Sequence, residues 1–99
     1  MDNYIIKYKE IMKKNGKKLE TMISEKITDN VFGLKRYVLL SATKKEWIIH
    51  PIYIQDNGQL ETGNGNYLSQ GLYSYERVKD IFYKIRDEEN DRLKENGYN

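Results

Sequence analysis

Two neighbouring apolar runs, residues 34–43 and 47–55, constrain the fold more than anything else in the chain. Both are rich in β-branched and aromatic side chains, and together they make a β-hairpin. Side chains alternate across a strand, so Val38, Leu40 and Ala42 point one way and Tyr37, Leu39 and Ser41 the other. In the second run Trp47, Ile49 and Tyr53 oppose Ile48, Ile52 and Ile54. Both faces are therefore largely apolar, and such a sheet has to be covered twice. The expected cover is one helix of the chain itself on each face. A homo-oligomer or another partner closing the second face is the alternative.

The flanks supply helical patterns. In residues 3–28, Tyr4, Ile5, Tyr8, Ile11, Met12, Leu19, Met22, Ile23 and Ile27 fall on one broad arc at about 100° per residue. Asn15-Gly16 either leaves one long helix intact or stops a first helix with a left-handed residue at C′, giving two. A hairpin turning there ranks lower, because the flanking lysines do not alternate with apolar residues. Asp29-Asn30 and Gly33 close this region. At the other end Ser74 suits an N-cap and Glu76 the positive end of a helix, followed by the stripe Tyr75, Val78, Phe82 and Ile85. Beyond Arg86 only Leu93 is strongly apolar before Tyr98, so this helix is expected to project or fray.

Between the helices, Asp56-Asn57-Gly58 is a turn signal and residues 59–62 form a short third strand. Pro51 offers no N–H to a ladder, so the second strand is bulged there or open on that side. Residues 62–66, Thr-Gly-Asn-Gly-Asn, read as a loop. The order α-β-β-β-α describes a single small α+β domain over residues 1–99, with a three-stranded antiparallel sheet.

The length of 99 residues allows one core, and 38% hydrophobic content with eleven Ile, nine Tyr and one Trp is enough to build it. The absence of Cys excludes disulfides, a thiolate zinc site and a Cys nucleophile. There is no run of about 18 apolar residues and no signal-peptide pattern, so a cytoplasmic location is expected. Lys, Ile, Asn and Tyr make up 42 of the 99 residues, which points to an AT-rich genome such as that of a low-GC bacterium or its phage. Residues 1–50 carry eleven Lys/Arg against six Asp/Glu, and residues 51–99 six against nine, so the halves stand at +5 and −3. That polarity could orient a partner.

Few residues suggest chemistry. His50 is the one side chain whose ordinary pKa lies near neutrality. Flanked by Ile49 and Pro51, it is expected to be a hydrogen-bonded strand residue, because no spacing ties it to Glu46, Asp56 or Ser41 as a catalytic set. Lone His and scattered carboxylates make a poor metal site, and no metal or cofactor is expected. Gly63-Asn64-Gly65 lacks the third Gly and following helix of a dinucleotide fingerprint and reads as a turn. The acidic group Asp87, Glu88, Glu89 and Asp91 is balanced by Arg86, Arg92 and Lys94 as a solvated face.

Two surfaces remain. Lys7, Lys9, Lys13, Lys14, Lys17 and Lys18 share the polar arc of the first segment and could neutralise phosphates. The element order resembles that of the double-stranded-RNA-binding domain, in topology only. Where that family places a lysine cluster, at the start of its second helix, this chain has Ser74-Tyr75-Glu76-Arg77. Residues 64–75 place Tyr67, Tyr73 and Tyr75 among Gly, Ser, Asn and Gln, a mixture typical of evolved binding loops.

The expected function is a non-enzymatic binding protein that occupies a macromolecular surface through Tyr67, Tyr73 and Tyr75. One version is a phage or mobile-element inhibitor of a host nucleic-acid-processing complex, of the anti-CRISPR kind. Direct RNA or DNA binding through Lys13, Lys14, Lys17 and Lys18 is the alternative. A small enzyme or nucleotide-sequestering protein comes third.

Overall fold

A computed structural model describes residues 3–31 and 34–95. Helix α1 (Asn3–Lys14) is followed by five strands and a second helix. The strands are β1 (Thr21–Val31), β2 (Leu34–Ala42), β3 (Glu46–Gln55), β4 (Leu60–Thr62) and β5 (Asn66–Ser69), and α2 covers Tyr75–Glu95. The class is α+β, with five antiparallel strands where the sequence suggested three.

One added strand comes from the segment read as helical. Helix α1 ends at Asn15-Gly16: the Gly16 N–H reaches the Lys13 carbonyl at 3.0 Å and the Lys17 N–H that of Met12 at 2.8 Å. This is the Schellman pattern, and Gly16 sits at φ +80°, where glycine carries no Cβ penalty. The chain then extends into β1, so residues 3–28 are neither one helix nor two. Leu19, before β1, packs on the α1 side, whereas Ile23 and Ile27 both pack on the α2 side. Ile23 and Ile27 are four residues apart, an even spacing that satisfies strand alternation as well as a helical stripe. Pairing decides between them, with Ile23 opposite Leu40 and Met22 opposite Ser41. Asp29 and Asn30 lie within β1, while Gly33 and Tyr98 fall outside the described residues.

The other addition is an edge in two pieces. Strand β4 pairs with residues 52–54 of β3 and β5 with residues 46–49, end to end along the same side. Pro51 stands at the break. Its carbonyl accepts the Gly63 N–H at 2.9 Å, so its missing N–H faces the interruption and no ladder bond is lost. The segment read as a loop thus narrows to residues 63–65.

Each sheet face has its own helix. On one, Tyr8 and Met12 of α1 pack on Leu39, Ile48 and Ile52. On the other, Val78 and Phe82 of α2 pack on Val38, Leu40 and Ile49. Burying a side chain the size of Phe82 contributes about 1.5–3 kcal/mol, so these few residues seat α2. The apolar faces therefore supply no argument for a second subunit. The N-cap of α2 is Ser74, whose hydroxyl accepts the Arg77 N–H at 3.2 Å. Contrary to the expected fraying, α2 continues to Glu95 with Leu93 buried. No helix among the described residues is long and apolar enough to cross a membrane.

Candidate functional site

Tyr8, His50 and Gly63 form a hydrogen-bonded chain on the α1-covered face. His50 Nε2 lies 2.9 Å from the Gly63 carbonyl, an acceptor only, so Nε2 carries the proton and donates. Nδ1 then accepts from the Tyr8 hydroxyl at 3.0 Å. Burial lowers the His50 pKa, partly offset by the bond to Gly63, and keeps the ring neutral. Burial also pushes the Tyr8 phenol up to about 12. The Ser41 hydroxyl is close enough to oppose that shift but makes no hydrogen bond of good geometry. With both ring nitrogens engaged and no carboxylate beside it, His50 has no lone pair to offer a substrate. Its role is to hold residues 63–65 against β3. The Gly63 N–H is spent on Pro51, so it is not available to an anion nest. Among the described residues, no three His, Asp or Glu side chains gather as a metal site.

A different site lies at the end of the sheet where β2 turns into β3. A Thr43-Lys44-Lys45-Glu46 turn closes through the Thr43 N–H and the Glu46 carbonyl at 3.0 Å. The Thr43 hydroxyl accepts from the N–H groups of Lys45 and Glu46 at 3.2 and 3.1 Å. From the side, Gln70 donates its side-chain amide to the carbonyls of Thr43 and Glu46 at 2.8 and 3.2 Å. Its backbone N–H meets the Lys45 carbonyl at 3.0 Å. The turn is held in place, and the Lys44 and Lys45 side chains point into solvent.

Opposite it runs the connection from α1 to β1, tied across by the Glu20 N–H and the Ala42 carbonyl at 2.7 Å. Between them lies an open groove of 440 Å³, lined by residues 16–18, 20 and 43–46. The lining includes four lysines, Lys17, Lys18, Lys44 and Lys45, and two carboxylates, Glu20 and Glu46. Lys17 pairs with Glu46, whose hydrogen bond raises the Lys17 pKa. Lys13 and Lys14, on the last turn of α1, add to the same end. The amines of Lys13, Lys14, Lys18, Lys44 and Lys45 have no ion-pair partner among the described residues.

The three tyrosines are divided between the two faces. Tyr67 stands opposite Ile48 on the α1-covered side of β5 and is 48% exposed. Its ring meets the edge of His50 at 6.3 Å between centroids, and the Lys17 amine lies 5.4 Å from its centre. Tyr73 and Tyr75 belong to the other face, at the start of α2. Trp47 Nε1 donates to the Tyr73 carbonyl at 2.9 Å, and Tyr75 packs on the Trp47 ring at 5.6 Å. Arg77 covers Tyr73 and Lys79 covers Tyr75, at 4.7 and 5.6 Å. Lys17 therefore joins Tyr67, whereas Tyr73 and Tyr75 form a separate patch. Lys44 and Lys45 were missed from sequence, because only the placement of β1 carries residues 17–18 to the β2–β3 turn. No family model matches the chain, and no curated protein or solved structure is significantly similar to it.

Proposed function

We propose that this chain is a non-enzymatic binding protein that works by occupying an anionic macromolecular surface, with its lysine-rich end as the contact. The observation that carries this reading is the convergence of lysines from two separate elements on one groove. Lys13 and Lys14 alone are accounted for by the negative end of the α1 dipole. Lys44 and Lys45 have no helix end to compensate, and the five amines without an ion-pair partner among the described residues repel one another. A partner of opposite charge relieves that repulsion. Small size and an AT-rich coding bias suit an accessory protein of a mobile element, and a nucleic-acid-processing complex is a target whose surfaces carry such charge.

The test is capture from a cell lysate at low and high salt by tagged wild-type protein and by the double variant Lys44→Glu, Lys45→Glu. A control carries Lys79→Glu at the start of α2. The proposal expects an anionic partner, protein or nucleic acid, that the wild type and control retain and the double variant loses. Equal capture by all three would remove the lysine-rich end as the working surface.

A further inference from the structure

We infer that the groove takes the backbone of a single-stranded nucleic acid, with Tyr67 as the platform on which a base stacks. The inference rests on the proposed reading of this end as an anion-binding surface and narrows it to one partner chemistry. Lysines 17–18 and 44–45 belong to the two chain segments that line the groove, so a chain of phosphates lying along it meets cations from both. The groove is open, so a flexible strand can lie along it.

Charge alone would serve an acidic peptide equally well; the aromatic ring decides between them. Tyr67 is the large apolar side chain beside the groove that is left half exposed, and every base has a π-face that it can stack on. Its orientation is already set by the edge of His50, which is itself fixed by two hydrogen bonds. Gly65 makes this geometry accessible, since a Cβ there would lie 3.0–3.2 Å from the Tyr67 ring atoms. Lys17, shared between Glu46 and the ring, is positioned to move its charge to a phosphate next to the stacked base. The aromatic surface thus adjoins the groove through Lys17, and stacking beside cations is the combination that tracks single strands without reading their sequence.

Fluorescence anisotropy tests this with a short labelled oligothymidylate, a duplex of equal length and polyglutamate as competing polyanions. With four lysines on phosphates, single-strand binding should weaken with salt at a log–log slope of about −3. Tyr67→Ala should reduce affinity by about 5- to 100-fold and Tyr67→Phe should restore it, since the ring stacks and the hydroxyl does not. Gly65→Ala, which displaces the ring without removing it, should give a loss of the same kind with an unchanged circular dichroism spectrum. Binding of duplex or polyglutamate as tightly as the single strand, indifferent to Tyr67→Ala, would overturn the inference and leave the anion-binding reading standing. Failure to bind any of the three polyanions at low salt would overturn both.

Discussion

The two ends of the sheet treat charge in opposite ways. Around the C-terminal half of α2, cations meet carboxylates: Arg36 faces Glu89 at 3.7 Å, Arg92 pairs with Glu89, and Arg86 reaches Glu25 at 3.5 Å and Asp87 at 2.9 Å. Asp87 is the main cause of the raised Arg86 pKa. At the other end, the amines of Lys13 and Lys14 on α1, Lys18 on the α1–β1 connection and Lys44 and Lys45 on the β2–β3 turn have no ion-pair partner among the described residues. The paired end ties α2 to β1 and β2 and needs nothing further to account for it. The unpaired end opposes folding slightly through like-charge repulsion, and its arrangement makes sense through what it can bind.

The largest expected effect concerns the attachment of α2, on which the paired end depends. Phe82→Ala should cost about 3–5 kcal/mol in urea unfolding, because it empties the centre of the α2 contact. A loss well under that range would mean that the ion pairs and not the apolar stripe hold α2. Next is Tyr8→Phe, which leaves His50 Nδ1 buried without its donor and should cost about 1–3 kcal/mol.

The same network sets a pH dependence. The folded-state pKa of His50 is lowered, so the unfolded chain binds the proton more readily, and stability should fall as pH drops through and below about 6.5. Tyr8 is raised, so its contribution is full below the unfolded value of about 10 and is lost as pH climbs from there towards 12. Unfolding midpoints across pH, with His50→Gln as reference for the acid limb, check both signs.

The smallest effects sharpen the contrast of the two ends. Glu89→Gln should destabilise by about 0.5–1 kcal/mol, as befits a partly exposed ion pair. Lys44→Gln with Lys45→Gln should leave stability unchanged or raise it by a few tenths, about 0.5 kcal/mol at most. If both ends lose stability alike on neutralisation, the distinction drawn between them fails.

How far the chain's own letters reveal this depends on how local each signal is. The β2–β3 hairpin and α2 were legible because alternation, a Ser74 cap and an apolar stripe are all written within one element. Helix α1 was legible as a helix, but its stop at Gly16 was not, because the apolar arc continues in phase across Asn15-Gly16. Strand β1 was not legible, since Ile23 and Ile27 fit both periods and pairing with β2 is a tertiary choice. Strand β5 is four residues in a Gly/Asn/Ser setting, and only contact with β3 defines it. The groove was lost with β1: on an extended helix, Lys17 and Lys18 continue the face of Lys13 and Lys14 and never meet Lys44 and Lys45. The roles of His50 were partly readable. Its place as a hydrogen-bonded strand residue followed from Ile49 and Pro51, whereas its burial and its partners Tyr8 and Gly63, which come from opposite directions in the chain, needed the fold.

The most direct test of the lysine-rich end is a map of backbone amide shifts in ¹⁵N-labelled protein during titration with a short single-stranded oligonucleotide at low salt. The account predicts shifts concentrated at residues 16–18, 43–46 and 66–69, with residues 86–92 of α2 unmoved. Shifts centred on α2, or spread evenly over the surface, would contradict it.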